Sequence, residues 1–326
     1  MISKQKIFDI QNEHDFEQTA LEVFRFQSAQ NEVYKTFVNH LNINPSKICS
    51  VNEIPFLPIR FFKNYKVVSD NRAAEKIFTS SGTSSMQQSR HFVTDLSFYR
   101  ESLKHSFKNF YGDFSDYTIF ALLPSYLERE GSSLIDMAEY WIKQSGRGGF
   151  YLYNHRDLYD DLIENEREGR KAILIGVSFA LLDFVEDYQL NLKNTIVMET
   201  GGMKGRKKEI TREELHAVLK KGFGLSEIHS EYGMTELLSQ AYSKGNAGFK
   251  TPNWMKILIR DTEDPLCVLK NNRSGGINVI DLANLNSCSF IATDDLGRIH
   301  NDGSFEVLGR FDYSDVRGCN LLLTDL

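Results

Sequence analysis

Apolar positions follow two rhythms along this chain. From about Asp15 to Leu41, Phe16, Leu21, Phe24, Val33, Phe37, Val38 and Leu41 recur at mixed three- and four-residue steps. That spacing predicts one or two amphipathic helices, ended by Asn44-Pro45. Ile54-Pro-Phe-Leu-Pro-Ile-Arg-Phe-Phe62 is very apolar, yet its two prolines forbid a regular helix. It reads as an extended, irregular segment packed against the rest. Glu75 to Thr79 reads as a short strand, and Thr94-Asp95 as the N-cap of a helix reaching about Phe110. Tyr117 to Leu123, Ala172 to Val177 and Thr195 to Glu199 are uninterrupted apolar runs, the pattern of strands buried on both faces. Gly148 to Tyr153 and Ser226 to Ser230 are shorter strands. Helices fit Ser132 to Gln144, Arg156 to Glu168 and Phe179 to Tyr188. Another runs from the capping box Thr211-x-x-Glu214 to Lys221.

Strands alternating with helices at this spacing predict an α/β fold with a mainly parallel sheet. Ligands of such sheets bind beyond the carboxyl ends of the strands. After Ala247 the rhythm changes. Lys256 to Arg260, Cys267 to Leu269, Ile277 to Ile280, Phe290 to Ala292 and Phe305 to Leu308 are short strands broken by Gly, Asn and Asp. They predict a C-terminal antiparallel β subdomain within a single domain, dividing at about 1–245 and 246–326.

The 326 residues suffice for a large core, and the net charge of −6 disfavours nucleic acid or an anionic membrane as partner. The N-terminus shows no signal-peptide pattern, and no apolar run reaches membrane-spanning length. Cys49, Cys267, Cys288 and Cys319 are scattered without a CxxC pair. This argues against a zinc site or a disulfide framework and fits reduced thiols in a cytoplasmic protein.

Four stretches carry candidate chemistry. Ser230-Glu-Tyr-Gly-Met-Thr-Glu-Leu237 follows a strand and offers a ring to stack on a base, a flexible Gly, a hydroxyl for a phosphate and a carboxylate for a hard cation. A polar turn would read the same way. Thr79-Ser-Ser-Gly-Thr-Ser-Ser85 is either a loop that wraps an anion or a flexible surface loop, and it lacks the Gly-Lys pair of a Walker A motif. Thr293-Asp-Asp-Leu-Gly-Arg298 with Leu308-Gly-Arg-Phe-Asp312 can hold a ribose diol and its phosphate, or can be a plain hairpin turning at Asn301-Asp-Gly-Ser304. Cys319, beside Arg317, is an acyl acceptor when ionised, or a small apolar side chain ending a strand. His91, His155, His229 and His300 have no Ser or Cys partner at an interpretable spacing, so no triad is proposed.

In this order, these stretches resemble the motifs of the adenylate-forming superfamily of acyl-CoA synthetases, adenylation domains and luciferases. Thr79–Gln88 resembles its phosphate loop, Gly201-Gly202 its adenine-site loop, and Tyr232-Gly-Met-Thr-Glu236 its Tyr-Gly-x-Thr-Glu motif. Thr293–Arg298 resembles its Thr-Gly-Asp-x-Gly-Arg motif, and Gly309-Arg-Phe-Asp312 with Arg317-Gly318 its hinge element. Within the superfamily, the chain most resembles the LuxE-type acyl-protein synthetases. It shares the short length, the Ile54-Pro-Phe-Leu-Pro58 lead-in, the Glu199-Thr-Gly-Gly-x-Lys-Gly205 loop and the late cysteine.

The resemblance implies the adenylate-forming large-domain architecture, with ATP and Mg2+ in use. It implies that Tyr232 stacks on adenine, Gly201 and Gly202 line its edge, and Gly233 lets the backbone approach the nucleotide. Thr235 would contact the α-phosphate and Glu236 would bind magnesium. Asp295 and Arg310 would hold the ribose, and Ser80, Ser81, Gly82, Thr83 and Ser84 would cradle the pyrophosphate end. Cys319 would take the acyl group. The implied activity is activation of a carboxylic, fatty, acid to acyl-AMP and transfer to a protein thiol, then to an acceptor or carrier protein. Transfer straight to CoA, an amine or a carrier protein, and a non-catalytic nucleotide- or acyl-binding subunit, stay open as alternatives. The departures are Ser85 for a usual Gly, Gln88 for a common Lys (with Arg90 offering a charge), and Asp294 for the Gly before Asp295. The mobile lid with its catalytic lysine is expected to be absent.

Overall fold

The amphipathic N-terminal stretch breaks into two helices because Asn31 does two jobs at once. The computed structural model describes residues 2–70, 72–80, 88–124, 131–201, 210–245 and 248–311. After α1 (Lys4–Phe8) come α2 (Glu13–Gln30) and α3 (Glu32–His40). Asn31 ends α2, and its side chain caps α3 by accepting from the Tyr34 amide. Its amide also donates to the Ser287 carbonyl at 2.8 Å, which fixes the break against the C-terminal sheet. The predicted Asp15–Leu41 stretch is therefore two helices.

The proline-rich lead-in forms β1 (Leu57–Pro58) and the short α4 (Phe61–Asn64). Then follow β2 (Lys76–Thr79), β3 (Arg90–Val93) and α5 (Leu96–Tyr111), the last capped by Asp95 as expected. β2 and β3 pair antiparallel, with Thr79 opposite Arg90. The Ser/Gly segment thus lies between two strands of a hairpin, where the sequence places a strand before it and only the helix capped at Asp95 after it.

The remaining α/β elements are β4 (Thr118–Leu122), α6 (Ser133–Ser145), β5 (Gly148–Tyr151), α7 (His155–Arg167), β6 (Ala172–Val177), α8 (Ser178–Asp187), β7 (Thr195–Thr200), α9 (Arg212–Phe223), β8 (His229–Tyr232) and β9 (Ala241–Lys244). They build a sheet ordered β5-β4-β6-β7-β8-β9, parallel except for β9. Every residue of β4 and of β6 is buried, which is why both read as unbroken apolar runs. Tyr111 of α5 and Trp141 of α6 meet one face of the sheet through His229 and Tyr242. His216 of α9 meets the other through Ser230. β8 begins later than predicted. Its pairing with β7 starts at His229 opposite Met198, and Tyr232 is its last residue.

The second sheet contains β10 (Met255–Arg260), β11 (Ser274–Asp281), β12 (Phe290–Ile299) and β13 (Phe305–Arg310) in antiparallel succession, with β1 pairing parallel to β12 on its outer side. β12 is far longer than the Phe290–Ala292 core that the apolar pattern predicts, so the whole Thr293–Arg298 motif lies on a strand. The expected strand at Cys267–Leu269 is reduced to one bridge between Arg260 and Val268.

Candidate active site

The two sheets meet where β8 ends. Side chains alternate along a strand, so Ser230 and Tyr232 face one way and Glu231 the other. Tyr232 is buried, and its hydroxyl donates to Asp295 Oδ2 at 2.8 Å. Asp295 lies opposite Arg310 in the β12–β13 register, and Arg310 Nε donates to its other oxygen at 2.9 Å. The Asp295 amide donates to Thr293 Oγ1 at 3.1 Å, and buried Arg260 holds the Thr293 carbonyl at 2.6 Å. An ionised carboxylate has about four acceptor positions. Two are taken here, which leaves capacity for a diol. The Tyr232 ring lies 5.5 Å from Phe305 and 5.8 Å from Phe249, and the Arg212 guanidinium stacks on Phe249 at 4.2 Å.

The turn that follows is tied down at Thr235 and Glu236. A Cβ at Gly233 would stand 2.4 Å from Glu231 Oε1, so a side chain there would displace that carboxyl. Thr235 is half-buried, and its carbonyl faces His91 Nδ1 at 2.9 Å. The carbonyl of Glu236 accepts from Asn284 Nδ2 at 2.8 Å. Just beyond, Asp281 at the end of β11 accepts from the amides of Leu238 and Ser239 at 2.8 and 2.9 Å. The second sheet thus fixes the backbone that carries Thr235 and Glu236.

Glu236 is buried, 5 % exposed. Burial raises its pKa, against a hydrogen bond from Ser89 and the positive charges of Arg310 and Lys63. Lys63 arrives because β1 runs parallel beside β12 and delivers α4 to the same end of the sheet. At the mouth of the β2–β3 hairpin, the Ser80 amide donates to the Ser89 carbonyl at 3.1 Å, and Ser80 Oγ accepts from the Ser89 amide at 2.9 Å. The Arg90 guanidinium rests over the Phe92 ring at 5.6 Å.

A buried acidic cluster lies at the ends of β7 and β8. Ser178 donates to the Gly201 carbonyl at 2.5 Å, and Gly201 is left-handed at φ 66°. Glu199 lies 3.6 Å from both Arg212 Nε and His216 Nε2. Thr200 donates to Glu231, whose pKa burial pushes up to about 7, with the Glu199 charge adding to the rise. Glu199, Glu231, Arg212, Ser89 and Lys63 were not singled out as candidates from the sequence. The one legible signal was a carboxylate at the end of one strand segment, Glu199, and another just after the next, Glu231.

The predicted residues Tyr232, Gly233, Thr235, Glu236, Asp295 and Arg310 therefore come together, with Ser80 at the hairpin mouth and Gly201 beside the acidic cluster. Ser81, Gly82, Thr83, Ser84, Gly202 and Cys319 lie outside the described residues. Among the described residues, no group of three His, Cys, Asp or Glu side chains could hold a metal ion, and no helix is long and apolar enough to cross a membrane.

The family described as "Acyl-protein synthetase, LuxE" matches residues 156–326, just over half of the chain. No curated protein matches in sequence. Among solved structures, an ATP-bound RpMatB-BxBclM chimera shares 16% identity at a TM-score of 0.57, over 74% of this chain and 49% of its own. ATP-bound MatB from Rhodopseudomonas palustris shares 14% at 0.56, over 72% and 47%. An open 2-hydroxyisobutyryl-CoA ligase in complex with 2-HIB-AMP and CoA shares 10% at 0.70, over 92% of this chain and 70% of its own. The fold is that of adenylate-forming ligases, and the chain spans about half the length of the MatB structures.

Proposed function

Because the chain belongs to the LuxE acyl-protein synthetase family, we propose that it activates a carboxylic acid, of the fatty class, with ATP and passes the acyl group to a protein thiol. The observation that carries this reading is Asp295, held by Tyr232 from one sheet and by Arg310 from the other. That arrangement fits a ribose diol, with Tyr232 and Gly201 toward the adenine. Thr235 and Glu236 then stand on the phosphate side, next to Ser80 and Ser89 at the hairpin mouth.

In the first step a carboxylate oxygen of the acid attacks the α-phosphorus. The bond from that phosphorus to the oxygen bridging the β-phosphate breaks, and pyrophosphate leaves. Negative charge builds on the phosphates. The positive charges of Arg310 and Lys63, which already act on Glu236, stabilise it. Glu236 is the residue that would hold Mg2+. One carboxylate suits that ion, which takes most of its ligands from substrate phosphates and water. When bound, Mg2+ neutralises phosphate charge. In the second step the Cys319 thiolate attacks the acyl carbonyl carbon, AMP leaves with the electron pair, and a thioester remains for an acceptor protein.

Intact-mass measurement after incubation with ATP, Mg2+ and a panel of acids tests the whole sequence. The expected result is one acyl increment, removed by hydroxylamine and absent in Cys319→Ser. Acyl-AMP released without an increment would instead favour transfer to CoA, an amine or a carrier protein. ATP binding with neither product would make the chain a nucleotide-binding subunit.

A further inference from the structure

His91 is the second residue of β3, the strand that returns from the Ser/Gly segment. It is 1% exposed, and Phe62 packs edge-on to its ring at 5.7 Å. Its Nδ1 lies 2.9 Å from the carbonyl oxygen of Thr235, 144 residues further along the chain. A carbonyl can only accept, so Nδ1 carries the proton. Burial lowers the pKa of the ring to about 4, so Nε2 is a bare acceptor at neutral pH. That atom is buried and has no hydrogen-bond partner among the described residues. The same holds for Thr94 Oγ1, in a side chain that is 3% exposed.

Both residues line one small pocket, together with Asp95, Phe98, Leu238, Ala283, Asn286 and Ser287. Its volume of about 10 Å3 is the scale of a single water. A water there would donate to Nε2 and share a second hydrogen bond with the Thr94 hydroxyl.

We propose that His91 is a positioning residue. As the Nδ1–H tautomer it fixes the Thr235 carbonyl, and one buried water shared with Thr94 satisfies its other nitrogen. The ring thereby ties the strand returning from the Ser/Gly segment to the turn that presents Thr235 and Glu236. The consequence for catalysis rests on the adenylation reading; the tautomer and the water do not.

The first measurement is nitrogen NMR of the full chain carrying labelled histidine, with His91→Asn identifying the resonances of His91. The expected spectrum at about pH 7 has a protonated Nδ1 and a pyridine-type Nε2. A protonated Nε2 overturns the proposal. The second measurement is acid-dependent pyrophosphate exchange. His91→Phe keeps a ring but loses the donor. It is expected to slow exchange about tenfold, the loss of one hydrogen bond that orients a reacting group, with the KM for ATP held within about twofold. His91→Asn, whose amide can reach the Thr235 carbonyl, is expected to recover most of that loss. Equal slowing by Phe and Asn at equal thermal stability, or no slowing by Phe, overturns the positioning role. If the unaltered chain shows no exchange, the adenylation reading fails, and the imidazole spectrum still decides for or against the tautomer.

Discussion

Replacing Tyr232 by Phe removes one oxygen and leaves the ring packed on Phe249 and Phe305. The lost hydrogen bond is buried and its acceptor is the Asp295 carboxylate. Hydrogen bonds to charged groups contribute about 1.5–3 kcal/mol, and Asp295 Oδ2 would lose its partner in a side chain that is only 9% exposed. The other partner, Arg310, is 74% exposed in its side chain. Only the guanidinium side of this pair is open to solvent, and Gln at 310 keeps an N–H donor for Asp295 Oδ1, so the loss there is that of a screened pair, about 0–1 kcal/mol. Tyr232→Phe should therefore lower the unfolding free energy by about 1.5–3 kcal/mol, and Arg310→Gln by less than about 1 kcal/mol. Urea unfolding followed by fluorescence and circular dichroism, with unchanged denaturant slopes, measures both. If Arg310→Gln costs more than Tyr232→Phe, or if Tyr232→Phe costs nothing, the clamp on Asp295 is wrongly described.

The same region makes further predictions. Glu231 titrates at about 7 in the folded chain against the usual 4.5, so the native state binds more protons than the unfolded state between those values. Its contribution to stability falls as pH rises from about 4.5 to about 7 and is flat above. Glu231→Gln should flatten that slope and be the more stable chain above about pH 7, by thermal unfolding across pH. Gly233→Ala brings a Cβ against Glu231 Oε1, whose carboxyl Thr200 holds in place, and should cost about 1–3 kcal/mol. Glu231→Ala should relieve most of that cost, so the double-mutant cycle should be strongly non-additive; additive losses would count against the contact.

The parallel sheet was legible because its strands are covered on both faces and read as unbroken apolar runs, as in Ala172–Val177. The helix starts at Asp95, Ser132 and Thr211 were legible because their caps are local hydrogen bonds. Strands β3 and β9 were missed because Arg90–Val93 and Ala241–Lys244 are short, mixed in polarity and defined by their partners. The true extent of β12 was hidden because Thr293-Asp-Asp sets three polar residues in a row and Gly297 follows, which reads as a turn. Motif spacing identified Tyr232, Asp295 and Arg310 but not that they touch, since that depends on how two sheets meet. His91 stood in the sequence as a histidine without a partner. Its partner is a backbone carbonyl across the fold, and no side-chain pattern reports that. Arg212 and Lys63 reach the site through α9 and through the pairing of β1 with β12, which is a property of topology.

Exchange of labelled pyrophosphate into ATP tests the central claim most directly, because it reads acyl-adenylate formation before any acceptor is involved. Label should enter ATP only when a carboxylic acid and Mg2+ are present together, and the rate should vary with the acid. A chain that binds ATP yet exchanges no label with any acid in a panel of short, long and aryl acids would contradict it.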